Sequence, residues 1–430
     1  MGRFLVSAPE KILTRILLVA ATTGYQTRAF AAAGERLGYD VQLATDHCPR
    51  LGDPWGDHAI PVKFHEPETS AATIAKAAEE TGGIDGIVAV GDRPTYLAAV
   101  AAERLGLPYS PPGAVLACRN KFLARERFQA AGLNVPGYRR IPLEAEVRSV
   151  AAEAGYPCVL KPLGLSASRG VIRADDPGQF VKAFECIRGI LASPDIVRLH
   201  EDQDRFLQVE DYIEGREFAL EGLLTHGGFR IVALFDKPDQ LVGPYFEETI
   251  YVTPSRAPDS VQDAIVAATR KAVDALGLTH GPIHAEMRVN ERGTWMLEVA
   301  ARPIGGLCAQ ALRFESGWTL EEVVLRHAAG APLGGLRLDS PARGVMMIPI
   351  PRAGVYTGVE GLEAARGTPG IEGVVITAKE GQKLVPLPEG ASYLGFIFAA
   401  GEKPEAVESS LRSAHARLQF GILEALPVVR

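Results

Sequence analysis

Between residues 281 and 302 the chain reads GPIHAEMRVNERGTWMLEVAAR, and this segment constrains the fold more than any other. Two runs alternating apolar with polar residues flank Asn290-Glu291-Arg292-Gly293, the pattern of two antiparallel strands joined by a short turn. A three-residue loop with Gly293 in the left-handed conformation is a standard closure, and it pairs Asn290 with Thr294. Counting outward, Glu286 stands opposite Glu298. Ile283, Ala285, Met287 and Val289 share the other face with Trp295, Leu297 and Val299. A wholly apolar face specifies the register, because a one-residue slip would turn it to solvent. The polar face holds His284, Glu286, Arg288, Glu298 and Arg302. Facing residues on paired strands have Cβ atoms about 5 Å apart, and like charges there destabilise a sheet. Three compensations are open: one carboxyl keeps a proton, Arg288 and Arg302 neutralise the pair, or a hard divalent cation with oxygen ligands lies between them.

A chain of 430 residues has room for two to four domains with real cores. Its net charge of −7 and pI near 5.8 exclude a general nucleic-acid binder, whose phosphate contacts need a basic surface, while leaving a local anion site open. The run ILLVAATTG, from Ile16 to the Thr22-Thr23 turn, is too short to span a membrane and reads as a buried strand, not a leader. Five scattered cysteines (48, 118, 158, 186, 308) with no CxxC fit reduced thiols in a cytoplasm and argue against a catalytic cysteine.

Apolar strands near 16–20, 41–44 and 86–90 alternate with helical stretches, the signature of a doubly wound parallel sheet, although no GxGxxG is present. The turn-rich PYSPPG at 108–113 closes this unit. Asn120-Lys121 then opens a helix, Cys158-Val-Leu-Lys161 forms a strand, and Pro162-Leu-Gly-Leu-Ser-Ala-Ser-Arg-Gly170 forms a loop of small residues. Further strands fall at 206–210 and on either side of Gly227-Gly228, and a helix spans 259–276. A linker near 330–341 leads to short strands and a last helix with Val407, Leu411, Ala414 and Leu418 on one stripe.

The 162–170 loop lets backbone N–H groups approach phosphate oxygens, with Lys161 supplying a point charge. No GK[ST] follows, so it is not a Walker loop, and by itself it reads as a plain glycine-rich turn sooner than as a phosphate loop. Lys121, at the positive end of its helix, reads as a solvated residue unless an anion lies nearby. Glu217 and Lys237 lie near one another across the Gly227-Gly228 hairpin, with a surface salt bridge as the plain reading. Arg302, four residues after Glu298 and followed by Pro303-Ile304-Gly305-Gly306, suits a carboxylate or phosphoryl group, or else neutralises the glutamates. His284, beside Glu286, is an orienting hydrogen-bonder held charged, not a base.

The ordered set Asn120-Lys121, KPLGLSASRGV from Lys161, QVEDYIEGREF from Gln208, Asp236-Lys237 and HAEMRV…MLEVAARPIGG resembles the ATP-grasp superfamily of carboxylate–amine ligases over nearly the whole chain. The resemblance implies an α/β fold (α+β overall): an N-terminal doubly wound pre-ATP-grasp domain (1–113), a two-lobed ATP-grasp core (114–205 and 206–335) and a small β-rich C-terminal domain (336–430). It implies that Lys121 and Lys161 contact ATP phosphates under a flexible lid carrying Ser166, Ser168 and Gly170. Glu210, Asp211, Tyr212 and Ile213 form an adenine hinge, Glu217 meets the ribose, and Lys237 approaches the nucleotide. Glu286 and Glu298 match magnesium ligands, with one or two Mg²⁺ and Mn²⁺ as a substitute. Arg302 and Lys161 match catalytic positions, and His284, Gly305 and Gly306 fall on the substrate side. Where the family often has Asn two residues after the second glutamate, this chain has Ala300, so one metal ligand is missing and water takes its place.

The His-x-Glu at 284–286, the GPYFEET segment from Gly243 and the C-terminal domain look like bacterial L-amino-acid ligases, which join two amino acids into a dipeptide by way of an acyl phosphate. Glu247 or Glu248 then receives a substrate amino group, or belongs to an exposed acidic loop. The expected partners are small carboxylates and amines, with no nucleic acid or membrane, in a cytoplasmic protein for which a homodimer is left open. The competing readings are a purine-pathway or biotin-carboxylase-like ATP-grasp ligase and a non-catalytic ATP-binding regulator.

Overall fold

The computed structural model describes residues 13–21, 24–47 and 59–424; Cys48 and the Thr22-Thr23 turn lie outside the described residues. The first layer is a parallel sheet in the order Ile60–Pro61, Asp40–Thr45, Arg15–Ala20, Gly86–Val90. Residues 16–20 are fully buried, as a continuous apolar strand covered on both faces must be. The helix Asp92–Leu105 starts directly after Gly86–Val90. Asp92 therefore sits at the carboxyl edge of the sheet, where open α/β sheets bind ligands.

A four-stranded antiparallel sheet follows, in the order Tyr138–Pro142, Phe206–Asp211, Cys158–Pro162, Ile172–Ala174. The helix Pro177–Leu191 covers it with Phe180, Phe184 and Ile187. The largest sheet has eight antiparallel strands: Gly293–Ala300, Gly281–Asn290, Arg216–Thr225, Gly228–Asp236, Ile250–Thr253, Ala342–Ile348, Gly395–Gly401 and Ile371–Ile376. In the C-terminal region Lys383–Leu384, Gly354–Glu360 and Gln419–Leu423 form a separate sheet, while the other three strands are hydrogen-bonded into the sheet that carries the hairpin, joined through the pairing of Ile250–Thr253 with Ala342–Ile348. Val407, Leu411 and Ala414 on the helix Pro404–His415 cover their far face, and Leu418, just past the helix end, joins the same core.

The hairpin closes differently from the expected three-residue loop. Asn290 pairs with Gly293, not Thr294, around a two-residue turn. That offset alone would set Glu286 against Leu297. A β-bulge leaves Leu297 unpaired and restores the count, so Glu286 does face Glu298. The apolar core requires the bulge. Met296 and Val299 are both buried on the face that packs against Ile265, Ala272 and Val273 of the helix Asp259–Leu276. Strict alternation puts residues three apart on opposite faces, and one extra residue corrects this. Leu297, expected on the apolar face, turns instead to the cavity described below, and Trp295 pairs with Arg288.

Beyond the other end of Arg216–Thr225, the rings of His226, His280 and His327 stand in a row, with centroids 5.1 and 4.4 Å apart. Burial, then neighbouring imidazoles, pushes His280 and His327 down to about 4 from an ordinary 6.5. In the unfolded chain these rings take up protons near pH 6.5, but in the folded chain only near pH 4. Their contribution to stability is therefore complete above pH 6.5 and lost as pH falls toward 4. Thermal unfolding midpoints measured from pH 7 to 4.5 should fall less steeply in His327→Phe than in the wild type. Parallel curves would show that the row does not govern acid stability.

Candidate active site

The strands Arg216–Thr225 and Gly281–Asn290 face each other in a register that sorts charge. Glu217 stands opposite Arg288, Ala219 opposite Glu286, and Glu221 opposite His284. The outer pairs are ionic. Arg288 Nε donates to Glu217 at 2.9 Å, and His284 Nδ1 bonds Glu221. Glu286, with only a methyl group directly across from it on this side, has no ionic partner at its own position in the register. Arg288 spends its remaining donors on the carbonyls of Ile213 and Leu241, so it does not neutralise the Glu286–Glu298 pair.

Amines and the imidazole compensate that pair instead. Lys237 Nζ lies 2.8 Å from Glu217, 2.5 Å from Glu248 and 3.3 Å from Glu286. His284 Nε2 is 3.2 Å from Glu286, and Lys121 Nζ is 3.3 Å from Glu298. Burial opposes charge on Lys237, but the three carboxylates outweigh it and raise its pKa well above normal. Burial likewise opposes ionisation of Glu286, yet Lys237 and His284 hold it well below the usual range. Glu248 is pushed up to about 7 by burial and by Glu286. Burial works against a cationic His284, but Glu221 and Glu286 raise it to about 9, in keeping with an orienting group that stays charged. Among the described residues, Glu217, Glu248 and Glu286 bring one oxygen each within 4.8 Å of one another, a spacing that suits a cation and that Lys237 already fills.

Lys161 is a second buried lysine. Lys161 Nζ lies 2.5 Å from Glu210, whose other oxygen accepts from Arg125 Nε at 2.7 Å. Burial favours a protonated Glu210, but Arg125 and Lys161 win and hold it near about 2. The Glu210 side chain thus turns inward to anchor Lys161. Lys121 is not a loosely solvated residue. Asn120 caps its helix by accepting from the backbone of Phe122 and Leu123 at 3.1 Å, and Lys121 Nζ donates to Leu165 O at 2.7 Å. In the small-residue loop, Ala167 and Ser168 both have positive φ, 54° and 53°. Gly170 N–H donates to Pro388 O at 2.9 Å and Arg169 Nε to Glu389 O at 2.8 Å, so the loop is tied down by the C-terminal region.

These groups surround one cavity of about 330 Å³. Lys121, Lys161, residues 165–168 and 210–213 line one part of it. Glu248, His284, Glu286, Glu298 and Arg302 line another, with Gly305 and Gly306 beyond. Arg302 makes a two-pronged bond to Asp92, Nε to Oδ1 at 2.8 Å and Nη2 to Oδ2 at 2.9 Å, so the N-terminal domain reaches the site. Met347 and Phe396 of the C-terminal strands, with Tyr393 from the loop before Gly395–Gly401, supply an apolar wall together with Tyr251 and Cys308. The expected residues Lys237, Glu247 and Gly170 do not line the cavity. Lys237 acts behind it on Glu286, Gly170 anchors the loop, and Glu247 is half-buried and bonded to the Ile350 backbone.

Three family models match successive parts of this architecture: ATP-grasp N-terminal domain at 30–109, ATP-grasp domain at 154–311, and L-amino acid ligase C-terminal domain 2 at 346–422. The chain belongs to the ATP-grasp superfamily of carboxylate–amine ligases. This ATP-grasp protein is similar to an uncharacterized protein of Sinorhizobium fredii (strain NBRC 101917 / NGR234), with 23% identity over 97% of this chain and 85% of that one. It is 27% identical to the alanine–anticapsin ligase of Bacillus subtilis (strain 168) over 65% of this chain, a match that spans 62% of that ligase and so under two-thirds of its length. Among solved structures, the L-amino acid ligase from Bacillus licheniformis superposes with a TM-score of 0.81 and 25% identity, covering 97% of this chain and all of that one. Among the described residues no helix is long and apolar enough to cross a membrane.

Sequence reasoning missed Asp92, Arg125, Glu221 and the apolar wall. Glu221 had a signal: with Glu217 it lies on one face of an alternating strand. Met347, Tyr393 and Phe396 had none, because only sheet continuation brings them to the cavity. Lys237→Ala should leave three facing carboxylates without their ammonium. Breaking a buried ion pair costs about 3–5 kcal/mol, so the thermal midpoint should fall by several degrees. An unchanged midpoint would refute the role given to this lysine.

Proposed function

We propose that this ATP-grasp protein joins two L-amino acids into a dipeptide, activating one carboxylate as an acyl phosphate and releasing ADP and phosphate. One observation carries the reading. The C-terminal segment that matches an L-amino acid ligase domain contributes Met347, Tyr393 and Phe396 to the same cavity as the two lysines and the facing glutamates, so the donor set and the substrate wall form one compartment.

Lys121, Lys161 and the backbone N–H groups of 166–168 would neutralise and orient the ATP phosphates. The 210–213 segment, with Leu297 turned inward by the bulge, would hold adenine. Glu217 would serve the ribose while still tied to Lys237 and Arg288. Glu286 and Glu298 fit Mg²⁺, or Mn²⁺ in its place, because both are hard oxygen donors on one side of the cavity. Bound there, the cation would draw charge from the transferring phosphoryl group. Arg302, held by Asp92, and the Gly305-Gly306 turn would grip the substrate carboxylate and later the oxyanion at the acyl carbon, with His284 orienting Glu286. Glu248, which lines the cavity as Glu247 does not, would face the substrate amino group. The reaction would take place in the cytoplasm.

Phosphate release measured over single and paired amino acids, with mass spectrometry of products, tests the reading. Release should require a pair of amino acids and yield their dipeptide. Release supported by bicarbonate, or indifferent to amino acids, would sink it. Glu298→Ala should lower turnover by about a hundredfold or more at an unchanged unfolding midpoint, since it leaves the apolar hairpin face intact.

A further inference from the structure

The substrate half of the cavity depends on a carboxylate that does not line it. Glu221 is 1% exposed, and burying a carboxylate is costly unless both oxygens are well partnered. Here each oxygen has a different task. One bonds Nδ1 of His284, the cross-strand neighbour set by register. The other accepts the backbone N–H of Ile304 at 3.1 Å. The first bond fixes the imidazole so that its far nitrogen meets Glu286 at 3.2 Å. The second fixes the peptide two residues after Arg302, at the entrance to the Gly305-Gly306 turn. Gln26, from the N-terminal helix Tyr25–Leu37, holds the opposite side of that residue by donating to Ile304 O at 3.0 Å.

We infer that Glu221 is a positioning residue for the amino-acid half of the reaction: one buried carboxylate sets the distance between the His284–Glu286 side of the cavity and the turn that follows Arg302. The inference rests on the ligase reading for its kinetic consequence, but its geometric content is independent. Neither partner of Glu221 belongs to the lysine and loop half of the cavity. Displacing the turn relative to Glu286 should therefore damage amino-acid use and leave nucleotide use alone. A shift on the order of 1 Å in such a constellation costs up to about a hundredfold in rate.

The test compares wild type, Glu221→Gln and Glu221→Ala. Glutamine keeps the shape and an oxygen for Ile304 but removes the charge that holds His284. Its amino-acid KM should rise and its kcat fall, together by about tenfold or more in kcat/KM, with the ATP KM within about twofold and the fold retained by circular dichroism. In Glu221→Ala, hydrogen exchange of a peptide covering 302–307 should accelerate, while exchange in the 161–170 loop stays as in the wild type. Wild-type amino-acid kinetics in Glu221→Gln, or equal losses toward ATP and amino acids, would overturn the inference, as would unchanged exchange at 302–307. If the wild type itself shows no amino-acid-dependent phosphate release, the ligase reading fails, and the exchange experiment still decides whether Glu221 holds the turn.

Discussion

Along the shared edge of Arg216–Thr225 and Gly281–Asn290, two acids on one strand stand opposite two bases on the other, and a third acid stands opposite alanine. This spacing organises the site. Glu217 and Glu221 bind Arg288 and His284 across the strand pair, so Glu286 is the one acid of the three whose cross-strand neighbour offers no partner. On its other side it meets Glu298. Two carboxylates in that position repel, and the structure answers with ammonium groups approaching from different elements: Lys237 from just past the end of Gly228–Asp236 and Lys121 from the start of a helix. A hard divalent ion placed among such oxygens would compete with these amines for the same charge, which makes the lysines natural counter-ions for the ligase reading.

The three regions of the chain converge on that pair. Asp92 reaches Arg302 from the carboxyl edge of the parallel sheet, and Gln26 reaches Ile304. Three of the C-terminal strands enter as a continuation of the same sheet, and Phe396 and Tyr393 close the cavity. Pro388 and Glu389, from the loop before Tyr393, hold the small-residue loop. A shift of the C-terminal region would therefore be felt both at the apolar wall and at the loop over the lysines.

Much of this was legible beforehand. The facing glutamates, the glycine turn after Arg302 and a charged His284 follow from alternation, spacing and elementary electrostatics, whereas the two lysines entered only through the ATP-grasp resemblance. The route to the glutamate pair was less accurate than its destination. The loop is one residue shorter than expected, and a bulge at Leu297 compensates. Bulges answer to packing on the far face, here the joint burial of Met296 and Val299 against a helix, and a single strand's pattern does not reveal what lies across from it.

The sequence by itself determined which residues share a strand face wherever the period-two alternation of side chains runs without a bulge. It therefore determined that Glu286 and Glu298 lie on the polar side of one hairpin. Tertiary structure alone decided which cation answers which acid: Arg302 goes to Asp92 and not to the glutamates, Arg288 to Glu217, and Lys237 to a trio of carboxylates from two strands and a loop. The reason is physical. Alternation is a local property of the backbone, whereas a bulge, and the partner of a long charged side chain, depend on what the rest of the chain brings within about 4 Å.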